Sequence, residues 1–139
     1  MSSTTSLVTG VDFVSLPSGD LEAAMAFYGD VLGLPRSSVW QRPGSEPIGA
    51  EYETGTVTIA LIAAEQLGIT LQPNKVPLAL HVEDVASARA ELESRGVSFR
   101  GDIIDSGVCH MANFEDPDGN ALMLHHRYAP RDPGAASAG

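Results

Sequence analysis

The sequence predicts an α+β protein of two βαβββ modules, with mixed sheets that form a cupped pseudo-barrel and helices on the outside. Two observations support this fold class. The two halves of the chain show the same order of strand and helix patterns, and a shift of 64 residues superposes Asp20 on Asp84 and Gly55 on Gly119. A helix covers only one face of each sheet, so a second face stays free. We expect the two free faces to meet and to enclose a cavity.

The first half begins with a strand pattern at residues 11–16, followed by a helix that Asp20 caps. A glycine and a proline then supply the signal that ends this helix. Residues 48–53 and 56–62 are predicted to be two further strands, after a shorter strand near Trp40. The apolar stripe of the helix recurs at helical spacing and consists of Leu21, Ala24, Met25, Tyr28 and Leu32.

The second half repeats this order. Asp84 caps its helix, and Gly96 supplies the signal that ends it. The sequence Asp-Pro-Asp-Gly at residues 116–119 predicts the turn of a hairpin. Strands are expected at residues 77–82, 97–100, 107–114 and 120–128.

The same patterns predict the organisation of the chain as one domain over residues 9–129. Small and polar residues at both ends have nothing to bury, so we expect these ends to lack fixed structure. The predicted parts are a flexible N-terminus at 1–8, the first module at 9–66, a linker at 67–75, the second module at 76–129 and a disordered tail at 130–139.

Composition excludes several classes of partner. The net charge of −10, from 18 acidic and 8 basic residues, argues against nucleic acid and anionic membranes. No apolar run approaches the roughly 20 residues that span a bilayer, and the N-terminus lacks the basic and apolar parts of a signal peptide. Cys109 is the only cysteine, so no intrachain disulfide can form. We therefore expect a cytoplasmic protein whose partner is a small molecule.

Three segments carry a resemblance to a known family. They are SGDLEAAMAFYGDVLGLP at 18–35, HVEDVASARAELESRGV at 81–97 and MANFEDPDGNALML at 111–124. In order and spacing they resemble the vicinal oxygen chelate superfamily of glyoxalases, bleomycin-resistance proteins and extradiol dioxygenases. The resemblance implies the two-module cup, often in a homodimer, with a divalent metal held by four side chains.

The resemblance places those four ligand positions at apolar residues of this chain. Divalent metals of the kind these enzymes use need imidazole nitrogen or carboxylate oxygen at about 2.0–2.2 Å. None of the four side chains offers such an atom, so we expect no metal and no cofactor, as in the metal-free bleomycin-binding branch. The positions are Phe13, Ile59, Pro77 and Met123.

Side chains alternate along a strand, so these positions also predict which other residues face the cavity. His81 and His125 have the same parity as the ligand positions of their strands. The side chain of Glu51 also faces the cavity if that of its neighbour Tyr52 packs under the helix. These three side chains are the candidate catalytic residues, since imidazole and carboxylate exchange protons near neutral pH. The candidate ligand-binding residues are Phe13, Ser15, Trp40, Ile59, Pro77, Met111, Asn113 and Met123.

Three functions stay open on the sequence. The first is a binder that sequesters or carries a small apolar or aromatic molecule. The second is a metal-free isomerase, lyase or cyclase that transfers protons through His81, His125 and Glu51. The third is a metal-dependent glyoxalase- or dioxygenase-like enzyme whose ligands have moved to the same three residues. For each histidine a purely structural role is the alternative.

Overall fold

The computed structural model describes residues 5–131. Residues 1–4 of the predicted flexible N-terminus and residues 132–139 of the predicted tail lie outside the described residues. The chain divides into two compact units between Leu71 and Gln72. This division falls within the segment that the sequence predicts as a linker.

The first unit is a four-stranded mixed sheet with one helical segment. In the sheet the strands lie in the order β1-β4-β3-β2, with β1 parallel to β4 and the other neighbours antiparallel. This is the βαβββ order that the sequence predicts. The elements are β1 (Phe13–Ser18), α1 (Leu21–Ala26), a π-helical turn (Phe27–Val31), β2 (Arg36–Gln41), β3 (Pro47–Glu53), β4 (Thr58–Ala63) and a 3-10 turn (Glu65–Leu67).

The helical segment starts and ends where the sequence places it, but its second half is not a regular α-helix. Asp20 caps α1, because its carboxylate accepts a hydrogen bond from the backbone N–H of Ala23 over 3.1 Å. Beyond Ala26 the helix widens into the π-helical turn, which buries Tyr28 completely. A Cβ atom at Gly29 would lie 3.3 Å from the Tyr52 ring. The glycine therefore lets β3 and the helical segment pack closely.

The second unit has the same topology. Its strands lie in the order β5-β8-β7-β6, again with one parallel pair, β5 and β8. The two units together confirm the predicted α+β class and the two βαβββ modules. The elements are β5 (Leu78–His81), α2 (Val85–Ser94), β6 (Phe99–Asp105), β7 (Cys109–Glu115) and β8 (Ala121–Arg127).

A buried polar network closes the hairpin between β7 and β8. Asp116 is 5% exposed and Asn120 is fully buried. The carboxylate of Asp116 accepts hydrogen bonds from the backbone N–H and the side-chain Nδ2 of Asn120, both over 2.9 Å. Asn120 Oδ1 in turn accepts from the backbone N–H of Asn74 over 2.8 Å. The Asp-Pro-Asp-Gly-Asn sequence is thus explained by turn structure, with Gly119 at φ 87°.

No helix within residues 5–131 is long and apolar enough to cross a membrane.

Candidate functional site

The face of each sheet opposite its helix carries most of the side chains predicted to bind a ligand. In the first unit Tyr52 marks the helical face, because its hydroxyl donates a hydrogen bond to the carbonyl oxygen of Met25 over 3.2 Å. Glu51 therefore points to the other face, and it is aligned across the sheet with Ala60 and Ser15. We call this surface the first helix-free face; it comprises Phe13, Ser15, Trp40, Glu51 and Ala60.

Trp40 lies on the first helix-free face against a glycine. It is the cross-strand partner of Gly49, where a Cβ atom would lie 2.5 Å from Trp40 Cε3 and 2.8 Å from the carbonyl oxygen of Leu61. Only a residue without a side chain permits this approach. Trp40 stays half-buried and Phe13 is 47% exposed, so the face offers aromatic surface.

The structure corrects the predicted position of Ile59. Its cross-strand partners are Val14 and Tyr52, so Ile59 lies on the helical face, where it is 2% exposed. Ala60 takes the predicted place, since it is aligned with Ser15 as Met123 is aligned with Ala79.

The cause is a difference in turn length between the two hairpins. Residues 54–57 separate the partners Glu53 and Thr58, whereas residues 116–120 separate the partners Glu115 and Ala121. The second turn is therefore one residue longer. The shift of 64 residues that relates the two helices is therefore wrong by one residue for the last strand. An error of one residue moves every side chain of a strand to the opposite face of the sheet.

The second unit follows the predicted alternation. Arg89 of α2 lies over the Phe99 ring, and that ring contacts Phe114 at a centroid distance of 5.0 Å, so Phe114 faces the helix. Asn113 then points to the other face, aligned with Met123. We call this surface the second helix-free face; it comprises Pro77, Ala79, Met111, Asn113, Met123 and His125.

Asn113 presents an unused hydrogen-bond acceptor on the second helix-free face. Within residues 5–131, its Oδ1 is buried and has no hydrogen-bond partner. A buried acceptor without a partner costs about 1–3 kcal/mol. This atom has essentially no exposed surface, so a bound molecule would reach it only after the Asn113 side chain turns outwards.

The candidate catalytic residues occupy different surroundings. The backbone positions of His81 and His125 are paired across β5 and β8. The imidazole of His81, however, is 66% exposed and contacts Glu83, with Nε2 and Oε1 3.1 Å apart. Glu51 lies on the first helix-free face, half-buried. A proton relay through His81, His125 and Glu51 stays a prediction.

Sequence reasoning missed two side chains beside His81. The His126 ring lies 5.8 Å from the His81 ring, and Glu83 completes the group. Strand parity assigns His126 to the helical face, and Glu83 follows the end of β5, where alternation gives no direction. The available signal was the sequence His-Val-Glu at a strand end, with two consecutive histidines in the partner strand.

A cavity of about 420 Å³ lies elsewhere in the first unit. Its walls come from the turn before α1 and from the segment after β4. None of the predicted site residues lines it. The lining residues are Gly19, Ala64, Glu65, Gly68, Ile69, Thr70 and Leu71.

The residues at the family's metal positions do not fit a divalent metal. With Ala60 in place of Ile59, the four positions carry phenyl, methyl, pyrrolidine and thioether groups. Zn²⁺, Mn²⁺, Fe²⁺ and Ni²⁺ are bound by imidazole, carboxylate or thiolate, and no such group is present among the four. The positions are Phe13, Ala60, Pro77 and Met123.

The chain belongs to the Glyoxalase/Bleomycin resistance protein/Dioxygenase superfamily, whose family model matches residues 10–124. The order of the strands and the helix motifs in both units agree with this membership. No curated protein sequence matches the chain.

Solved structures with the same fold include an antibiotic binding protein and proteins named after the superfamily. A glyoxalase/bleomycin resistance protein/dioxygenase from Nocardioides is 26% identical, with 94% of this chain and 91% of that chain covered and a TM-score of 0.71. A glyoxalase/bleomycin resistance protein from Streptomyces sp. CB03234 is 26% identical, with coverages of 85% and 100% and a TM-score of 0.65. TnmS3, an antibiotic binding protein from the same strain, shares the fold at 24% identity, with coverages of 88% and 99% and a TM-score of 0.72.

Proposed function

We propose that this protein binds a small apolar or aromatic molecule without a metal, as a sequestering or resistance-type binder. The observation that carries the proposal is the chemistry of the four family metal positions. Phe13, Ala60, Pro77 and Met123 replace ligands with apolar groups. The mechanisms of the superfamily's metal enzymes begin with a metal that chelates the substrate, and these residues cannot supply its ligands.

The helix-free faces suit an apolar ligand. The first carries Phe13 and Trp40, and the second carries Met111 and Met123, which are half-buried. Aromatic and thioether side chains provide large contact areas for flat molecules. A few polar groups usually orient the ligand in such a site. The unpaired Oδ1 of Asn113 would accept a hydrogen bond from the ligand once its side chain turns outwards.

A relative supports the class of ligand. TnmS3 is an antibiotic binding protein, and it has the same fold. Bleomycin resistance is part of the name of the superfamily to which this chain belongs. Antibiotics are therefore the first compounds to test, together with planar aromatic metabolites.

The test is ligand-dependent thermal stabilisation of protein that has been treated with a chelator. Bleomycin and a panel of planar aromatic antibiotics and metabolites would be added one at a time. A ligand at about 100 times its Kd stabilises the folded state by about 2.7 kcal/mol, which raises the melting temperature by several degrees. If no compound shifts the melting temperature, the proposal is wrong.

A pair of exposed variants tests the location of the site. Phe13→Ala removes an aromatic ring from the first helix-free face, and Val11→Ala removes a 65% exposed side chain just before β1. Neither side chain is buried, so both variants should fold. We expect Phe13→Ala to weaken binding of the hit compound and Val11→Ala to leave it unchanged. Equal affinities would argue against this face.

The proposal includes a cytoplasmic homodimer, the assembly common among relatives in the superfamily. Size-exclusion chromatography with light scattering measures the mass directly. A chain of 14.6 kDa should elute as a particle of twice that mass. A monomer at micromolar concentration would contradict the dimer.

A further inference from the structure

We propose that His81, Glu83 and His126 bind a divalent transition-metal ion such as Zn²⁺ at the surface of the second unit. One ring nitrogen of each histidine and one carboxylate oxygen of Glu83 all lie within 4.8 Å of one another. This group is separate from the four positions at which the superfamily binds its metal.

The distances are close to those that a tetrahedral ion requires. Ligand atoms about 2.0–2.2 Å from a tetrahedral zinc are about 3.3–3.6 Å apart. His81 Nε2 and Glu83 Oε1 are already 3.1 Å apart. The remaining distances must shorten by up to about 1.5 Å to reach that geometry. The side chains of His81 and Glu83 are 66% and 89% exposed, so a change of rotamer can close the site.

One ring nitrogen of His126 is bonded to the backbone, which leaves the other available to bind a metal. Its Nδ1 lies 3.1 Å from the carbonyl oxygen of Val82, and a carbonyl only accepts, so Nδ1 carries the proton and donates. The neutral ring then has its lone pair on Nε2. Histidines that bind metals commonly donate their other N–H to a carbonyl in this way, which fixes the tautomer and the ring direction.

The donor set selects the kind of ion. Two imidazoles and one carboxylate suit Zn²⁺, Co²⁺, Ni²⁺ and Cu²⁺, whereas Mg²⁺ and Ca²⁺ prefer oxygen ligands alone. The net charge of −10 also favours cation binding. Three protein ligands leave at least one coordination position for water.

The test measures Zn²⁺ binding to protein without a histidine tag, by isothermal titration calorimetry and by elemental analysis after dialysis. We expect one Zn²⁺ per chain and no uptake of Mg²⁺. Glu83→Gln and His126→Gln should each weaken Zn²⁺ binding by at least about tenfold, since even residues that only support a ligand contribute 10- to 100-fold.

His125→Gln is the matched control. His125 is adjacent in sequence but lies on the second helix-free face, so its loss should leave Zn²⁺ affinity unchanged. An absence of Zn²⁺ binding would overturn the proposal. A weaker affinity in His125→Gln than in His126→Gln would overturn it too, and would favour the predicted set of Glu51, His81 and His125. If His126→Gln melts at a lower temperature than the wild type without zinc, its weaker binding could reflect lost stability. The exposed Glu83→Gln variant then provides the test, and wild-type Zn²⁺ affinity in that variant would refute the site.

Discussion

Replacing Gly49 with alanine tests whether Trp40 lies on the first helix-free face as described. The new Cβ atom would lie 2.5 Å from Trp40 Cε3 and 2.8 Å from the carbonyl oxygen of Leu61. Carbon atoms pack at about 3.5–4.0 Å, so the indole must move by about 1 Å. The carbonyl belongs to β4 and can move only with the strand.

The expected cost follows from these two contacts. Overpacking by a methyl group costs about 1–3 kcal/mol, and the contact with backbone points to the upper half of that range. Alanine in a strand is otherwise better than glycine by about 0.5–1 kcal/mol, which offsets part of the strain. We therefore expect a net loss of about 1–2 kcal/mol in the free energy of unfolding.

Urea denaturation followed by tryptophan fluorescence measures both effects. Trp40 is the only tryptophan, so the spectrum reports on this position alone. The folded Gly49→Ala variant should show red-shifted emission, because the displaced indole meets more water. Gly10→Ala is the control, since a Cβ atom there has nothing within 4 Å. A stability within about 0.5 kcal/mol of the wild type, the spread usual for surface substitutions, together with unchanged emission would refute the packing.

Three further predictions test the fold and the assignment of faces. Asn120→Ala removes the partners of Asp116 Oδ2 and of the Asn74 N–H, and should cost about 2–4 kcal/mol in urea denaturation; a loss under 1 kcal/mol would contradict the network. Ile59→Ala truncates a buried core side chain and should lower the free energy of unfolding by about 2–5 kcal/mol, measured the same way. If the loss is no greater than in Phe13→Ala, whose side chain is half-exposed, Ile59 does not lie on the helical face. A hydrogen bond from the Ser87 backbone holds the pKa of Asp84 below its ordinary value. The unfolded chain then binds the proton more readily, so this contribution to stability is complete above about pH 4 and is lost as pH falls through the lower pKa of the folded state. Melting temperatures between pH 6 and 2 should therefore fall less steeply in Asp84→Asn, and a parallel profile would exclude Asp84 as a contributor.

The fold could be predicted because its signals are local and occur twice. Asp20 and Asp84 each cap a helix, and both caps make the expected hydrogen bond to a backbone N–H three residues on. The alternation in β5 and β8 gave the correct faces for Met123 and His125, since both strands are regular.

The sequence alone could not show which side chains of β4, the last strand of the first module, face the helix. Its register depends on the number of residues in the β3–β4 turn, and the repeat conceals a difference of one residue from the β7–β8 turn. Ile59 and Ala60 are both apolar, so composition did not reveal the error. Strand β6 presented a similar problem: the sequence predicted residues 97–100, whereas β6 runs to Asp105 past an irregular pairing between Arg100 and Ile104.

The surroundings of His81 also depend on more than strand pattern. Strand β5 is the edge strand of its own sheet and ends at His81, and the His81 side chain is directed towards Glu83. Parity describes residues inside a strand and loses its force at the last one. The group formed with His126 follows from that freedom, and only coordinates reveal it.

The affinity of a planar aromatic ligand, measured with and without metal, tests most directly whether this protein binds its ligand without a metal. Glu83→Gln should serve as the protein, because its proposed surface zinc site is weakened, and the compound should be a hit from the thermal-shift panel. We predict the same Kd after chelator treatment and after addition of Zn²⁺, Mn²⁺ or Ni²⁺. Binding that disappears with the chelator and returns with one of these ions would show that the ligand site requires a metal.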